Sequence, residues 1–189
     1  MNRTFASTAL LTLLLLPLAA QEPATGTLPQ YLRAQAAGME KNYVRLAEAI
    51  PADKYTWRPG EGVRSVSEVL LHVAGANYNF PRMAGVALPA GIDLRNLEKS
   101  TTDKAKVIEI LKSSFAFARP VVEKQTPETF SQPVKLFGND TQVREIFLVM
   151  NHHMHEHMGQ LIAYARVNGV VPPWTEDRLQ QQKQAPPKK

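Results

Sequence analysis

Apolar residues recur at helical spacing in four long stretches of this chain, and those stretches predict its architecture. The first runs from about Pro29 to Ala49, where Tyr31, Leu32, Met39, Tyr43, Leu46 and Ala47 share one face and Pro51 ends the pattern. The second opens at Ser65, with Glu68 three residues on as a capping box. It continues through Val69, Leu70, His72, Val73, Ala76 and Phe80 to about Met83. The third lies between about Asp103 and Lys124, with Val107, Ile110, Leu111, Phe115 and Ala118 on its apolar side; Pro120 is expected to kink or fray its last turn. The fourth follows Thr141, a candidate cap, and runs to about Asn168, where Gly169 and Pro172-Pro173 stop it.

The segments between these stretches are rich in Gly and Pro, notably 57–62 and 86–100. Residues 134–137 could be extended but are too isolated to make a sheet. Four amphipathic helices without a series of strands predict an all-α protein, an antiparallel four-helix bundle.

The ends of the chain have a different character. Arg3 precedes an apolar run from Ala9 to Ala20, which closes on small residues before polar Gln21-Glu22-Pro23. This is the pattern of a secretory signal peptide over residues 1–20, and it is too short to span a bilayer comfortably. Export to the periplasm or the extracellular space is therefore expected. Residues 21–28 read as a linker, 29–175 as the domain, and 176–189, rich in Gln, Pro and Lys, as a disordered polar tail. No membrane association is expected once the signal is removed.

The 189 residues carry 22 Lys and Arg against 17 Asp and Glu, a net charge of +5. Arg3 is lost with the signal, and the tail holds four basic and two acidic residues. The body has no basic stripe interleaved with aromatics, so the charge does not argue for nucleic acid. There is no cysteine, which closes disulfides, thiolate ligands and thiol nucleophiles. A metal would have to be held by His, Asp, Glu or water.

The chemistry concentrates in Asn151-His152-His153-Met154-His155-Glu156-His157-Met158-Gly159-Gln160, which holds four of the five histidines. A helix advances about 100° per residue. On that wheel Val143, Phe147, Met150, Met154, Met158, Leu161 and Ala165 form the core stripe. His157 falls about 40° and His153 about 80° from its centre, on the same side, whereas His155 lies about 120° and His152 about 180° away. His153 and His157 thus stand one turn apart beside the buried face, as two metal-binding histidines on one helix do. Burying both without a shared partner would leave four ring nitrogens to satisfy.

His72 is the remaining histidine and the natural third ligand. Three imidazoles leave coordination positions open, as catalytic sites do. The same spacing also fits half-buried core histidines. Glu156 reads as solvated. Gln160 suits either orienting a ligand or the rim of the site. The methionine stripe Met150, Met154 and Met158 reads as core packing.

The residues resemble a known family. Trp57-Arg58-Pro59, Ser67-Glu68-Val69-Leu70-Leu71-His72, Leu136-Phe137-Gly138, the run His153 to Gln160, and Tyr164-Ala165-Arg166 with Gly169 and Pro172-Pro173 occur in the order seen in the DinB-like superfamily, which includes the YfiT-type proteins. The resemblance spans about Gln30 to Trp174. It implies a four-helix bundle with a divalent metal on His72, His153 and His157. Zinc and nickel lead as the metal, with iron, manganese and copper as alternatives. It also leaves a homodimer open. Better-understood relatives use cytosolic low-molecular-weight thiols, which an exported protein would not meet, so the resemblance is carried only as far as the metal site. The expected function is a metal-dependent enzyme acting on a small molecule, a hydrolase or a transferase, with hydrolysis as the reaction that needs no cytosolic cosubstrate; catalytic residues other than the ligands are not assigned. The alternative is a non-catalytic bundle that binds a metal or ligand.

Overall fold

A computed structural model describes residues 26–184 of the chain; the expected signal peptide lies outside them. The described residues are mostly helical, with one small antiparallel sheet. Helix α1 spans Leu28–Ala49 and α2 spans Val66–Met83. Helix α3 spans Lys104–Glu123, and a single turn, α4, covers Pro127–Phe130. Strands β1 (Pro133–Leu136) and β2 (Asn139–Gln142) lead into the longest helix, α5 (Val143–Val167), and α6 (Pro173–Gln184) follows. No described helix is long and apolar enough to cross a membrane.

The expected capping box starts α2. Ser65 Oγ accepts from the Glu68 backbone N–H at 3.3 Å, and the Glu68 carboxylate accepts from the Ser65 N–H at 2.7 Å. At the head of α3, the Asp103 carboxylate accepts from Lys106 N–H. Pro120 neither ends nor frays α3; its carbonyl accepts from Lys124 N–H and the helix runs to Glu123. Gly169, with φ of 76°, turns the chain out of α5.

Helix α1 packs on α3 and α5, and α2 packs on the same two helices. Leu46, Leu70, Leu71, Leu111, Ile146 and Leu161 are fully buried between them. Each contributes roughly 1.5–3 kcal/mol relative to exposure. Tyr43 is also fully buried and donates its hydroxyl to the Met154 carbonyl, which ties α1 to α5 next to His153.

Three sequence expectations need correction. The segment 134–137 does make a sheet: Val134 pairs with Thr141 and Leu136 with Asn139 in a hairpin. The hairpin gains its support from α5, which packs against β1 and β2 and lets Leu136 bury. Thr141 is therefore a strand residue, and Gln142 takes the cap position of α5. The third concerns the polar tail, which is helical as far as Gln184. Pro173 starts that helix, and Asp177 accepts from Arg45 of α1 at 2.8 Å. Pro at a first helical position is favourable because its missing N–H would be unpaired there anyway.

The hairpin turn is Phe137-Gly138, with φ of 49° and 87°. Two positive φ values fit the right-handed twist of the strands, and Asn or Gly normally supplies them. Phenylalanine is an outlier there, at a cost of roughly 1–2 kcal/mol. The residue is nevertheless 68% exposed. Phe137→Asn is expected to raise stability by about 1 kcal/mol, read as a higher midpoint in thermal denaturation. An unchanged or lower midpoint would show that the turn is not strained.

Candidate metal centre

His72 lies midway along α2, and His153 and His157 lie one turn apart on α5. Packing of α2 on α5 brings the three rings together, with centroids 4.9 Å (His72–His153), 4.7 Å (His72–His157) and 4.4 Å (His153–His157) apart. Each offers a ring nitrogen, and those atoms all lie within 4.8 Å of one another. His157 is buried, while His72 and His153 are half-buried. His152 and His155 are exposed, and His155 Nδ1 lies 2.8 Å from the Asn151 carbonyl of its own helix. The two histidines that the wheel turned outward are thus apart from the cluster. Glu156 is exposed as well, and the three methionines pack in the core.

Neighbouring groups fix two of the rings. Glu98, in a 3-10 turn at Leu97–Lys99, places Oε2 3.0 Å from His72 Nδ1. A carboxylate only accepts, so His72 donates from Nδ1 and keeps a lone pair on Nε2. Arg64 Nε donates to the other oxygen of Glu98 at 2.8 Å. On the α5 side, His157 Nδ1 lies 2.8 Å from Gln160 Oε1, Gln160 Nε2 donates to the Tyr164 hydroxyl at 2.8 Å, and that hydroxyl donates to the Arg64 carbonyl at 3.2 Å. Trp57 packs edge-on against Tyr164 at 5.2 Å. Arg64 therefore anchors both branches, one through its side chain and one through its backbone. Of the two roles left open for Gln160, the orienting one matches this arrangement.

His153 carries the test of whether these residues suit a cation. Its Nε2 lies 2.9 Å from His72 Nε2, while its Nδ1 is buried without a partner. His153 Nδ1 stays without a partner whether Nε2 carries a proton or faces a cation, so the test rests on the other nitrogens. His72 carries its proton on Nδ1, and a cation shared by the three imidazoles would use the Nε2 lone pairs of His72 and His153, which face each other across 2.9 Å. The donor set fits: three neutral imidazoles, two of them held through Nδ1 by an oxygen acceptor, is how metal-binding histidines are usually supported.

Burial and neighbouring charge favour the neutral forms of His72 and His153. Burial, then the charges of His157, His72 and Arg64, push His153 down to about 4. Burial lowers His72 too, with Arg64 and His157 adding to it and Glu98 pulling the other way. Burial works against the Glu98 carboxylate, but hydrogen bonds and charge from Arg64 and His72 outweigh it and hold Glu98 below the usual range.

A pH dependence follows for the metal-free protein. His153 titrates at an ordinary 6.5 when unfolded and at about 4 when folded, so between those values the unfolded chain binds more protons. Stability is then full above pH 6.5 and falls as the pH drops toward 4. Thermal midpoints of chelator-treated protein across that window check this. The attribution to His153 fails if His153→Asn loses as much stability as the wild type.

Beside the histidines a cleft of about 1010 Å³ opens between α2, the 84–98 connection and the hairpin tip. His72 and His153 lie in its wall, together with Phe80, Leu97, Glu98 and Phe137. Glu98, Arg64 and Phe137 had no assigned role in the sequence. The acid sits in a loop without periodicity, and the only available signals were its position in the long connection and the Leu-Phe-Gly run.

Fold and site together define a mainly helical protein with a three-histidine group within metal-binding distance, set in a cleft. The chain belongs to the DinB family, whose family model matches residues 25–188. A DinB-like protein from Bacillus cereus has a similar structure, with a TM-score of 0.64 at 12% identity, over 75% of this chain and 93% of that one. A DinB-like protein from Bacillus subtilis gives 0.60 at 20% identity, over 75% and 93%. The mycothiol-dependent maleylpyruvate isomerase gives 0.55 at 17% identity, over 70% of this chain and 60% of that one. At these identities the likeness is one of fold. No curated protein sequence matches the chain.

Proposed function

We propose that this chain is an exported metal-dependent enzyme that hydrolyses a small molecule. His72, His153 and His157 hold a divalent ion, with zinc or nickel as the leading candidates. The reading takes α1, α2, α3 and α5 as the antiparallel four-helix bundle on which the site is built. The observation that carries it is the convergence of three imidazoles beside an open cleft, two of them held by Glu98 and Gln160.

When bound, such an ion supplies Lewis acidity and a water activated at neutral pH. The protein's own residues do the rest. Glu98 keeps the His72 proton on Nδ1, and Gln160 orients His157. Arg64 holds both supports in register. Substrate reaches the centre from the side of His72 and His153, where the cleft opens.

One protein of similar fold is an isomerase named for its dependence on mycothiol. Export would separate this chain from cytosolic thiols, which favours a reaction whose co-reactant is water. Metal content after purification is the first test, followed by a screen against esters, lactones, amides and phosphoesters. Turnover lost on chelation and restored by one metal supports the enzyme. Metal uptake without turnover on any class favours a binding protein. A tagged full-length chain retained in the cytoplasm would overturn export.

A further inference from the structure

The cleft has a polarity of its own. One stripe of α2 forms its floor: His72, Gly75, Ala76, Asn79 and Arg82, spaced so that all face the same side. Gly75 and Ala76 leave the floor bare next to the histidines. A Cβ on Gly75 would meet Leu97 Cδ2 at 3.8 Å, so the leucine closes over this stretch at ordinary contact distance. Phe80, Ile92 and Leu97 make the middle apolar, and Phe137 overhangs it from the hairpin.

Glu98 is paired with Arg64, and the Asp93 carboxylate accepts from Asn96 Nδ2 at 2.7 Å and from the Arg95 backbone N–H at 3.0 Å. Neither Arg82 nor Arg95 makes an ion pair among the described residues. Arg82 is the one on the α2 floor in line with His72, where it donates through Nε and Nη2 to Asn79 Oδ1, at 3.1 and 2.8 Å. Ten residues of helix separate it from His72, which is about 15 Å along the axis.

Resting on the proposed metal reading, we propose that the cleft takes an elongated molecule with an apolar middle and a carboxylate at the end remote from the histidines. The reacting group lies at His72 and His153, the apolar middle lies along Gly75 and Ala76 under Phe137, and the carboxylate meets the free edge of Arg82. The placement of Phe137 supports this. A bulky aromatic held at positive φ and left exposed is a strained arrangement with no packing gain of its own, and such strain concentrates at ligand sites.

The test uses the full folded chain loaded with zinc and titrated calorimetrically with sebacate and with decanoate. The two acids have the same total number of carbons and the same run of methylenes, but sebacate carries a second carboxylate where decanoate ends in a methyl. Sebacate is expected to bind about tenfold tighter, the scale of one charge-assisted hydrogen bond. Arg82→Gln should erase that preference, while Phe137→Ala should weaken both acids alike and keep the preference. Zinc uptake should be unchanged in both variants, since neither residue touches the ion.

Equal binding of the two acids, absence of binding, or a preference that survives Arg82→Gln would overturn the assignment. The same titrations on chelator-treated protein keep the two readings apart. Failure to take up zinc sinks the metal reading alone, because without the ion each acid can still set one carboxylate against Arg82, and Arg82→Gln should then weaken both acids about tenfold.

Discussion

Zinc titrated into His157→Ala should find no tight stoichiometric site. His157 is the most buried of the three imidazoles, and its ring is held by Gln160. Losing it leaves two ligands from two helices, and the expected drop in affinity exceeds the roughly 10–100-fold that follows loss of a group supporting a ligand. The histidines on the outer face provide the contrast. His152→Ala and His155→Ala should bind zinc as the wild type does, because both are exposed and point away from the cluster. A second readout is the thermal midpoint, which excess zinc should raise in the wild type and in those two variants but not in His157→Ala. Equal zinc affinity in all four proteins would remove the metal centre from consideration.

The second large effect is expected at Glu98. Glu98→Ala should lower zinc affinity by about 10–100-fold while leaving the ligands in place. The carboxylate decides which nitrogen of His72 carries the proton, and without it the ring can present an N–H to the ion. Glu98→Gln keeps an acceptor for His72 Nδ1, so its loss should be clearly smaller than that of alanine. Folded stability should change little in either case, because the ion pair with Arg64 is half-exposed and such pairs are worth under about 1 kcal/mol. If alanine and glutamine weaken zinc binding equally, the hydrogen bond to His72 is not what matters.

The parts of this molecule that were legible in the sequence obey a period. Leu46, Leu70, Leu111 and Leu161 sit on stripes that only a helix would bury together, and the start of α2 follows from Ser65 and Glu68. His153 and His157 could be separated from His152 and His155 because the same rotation per residue decides which imidazole faces the core. Residues whose role depends on a partner far along the chain were hidden. Glu98 lies in a short turn with no repeat, and it matters only because α2 passes beside it. Strand β2, Asn139–Gln142, has no apolar alternation at all; it forms because it pairs with β1 and docks on α5. The composition of the tail points to disorder, yet Gln and Lys are also good helix formers. Pro173 and the Arg45–Asp177 contact tip that balance toward helix α6.

The contact between His72 and His153 joins positions 81 residues apart. Everything from the end of α2 through α3 and the hairpin hangs in the loop it closes. An ion clamped there would act on the unfolded chain as a covalent bridge of the same span does, by removing the freedom of that loop for as long as the clamp holds. Secreted domains commonly obtain such a staple from a disulfide, and this chain has no cysteine with which to make one. On the proposed metal reading the histidine cluster is then also the point at which the folded chain resists unfolding, so chelators should speed its unfolding and its proteolysis.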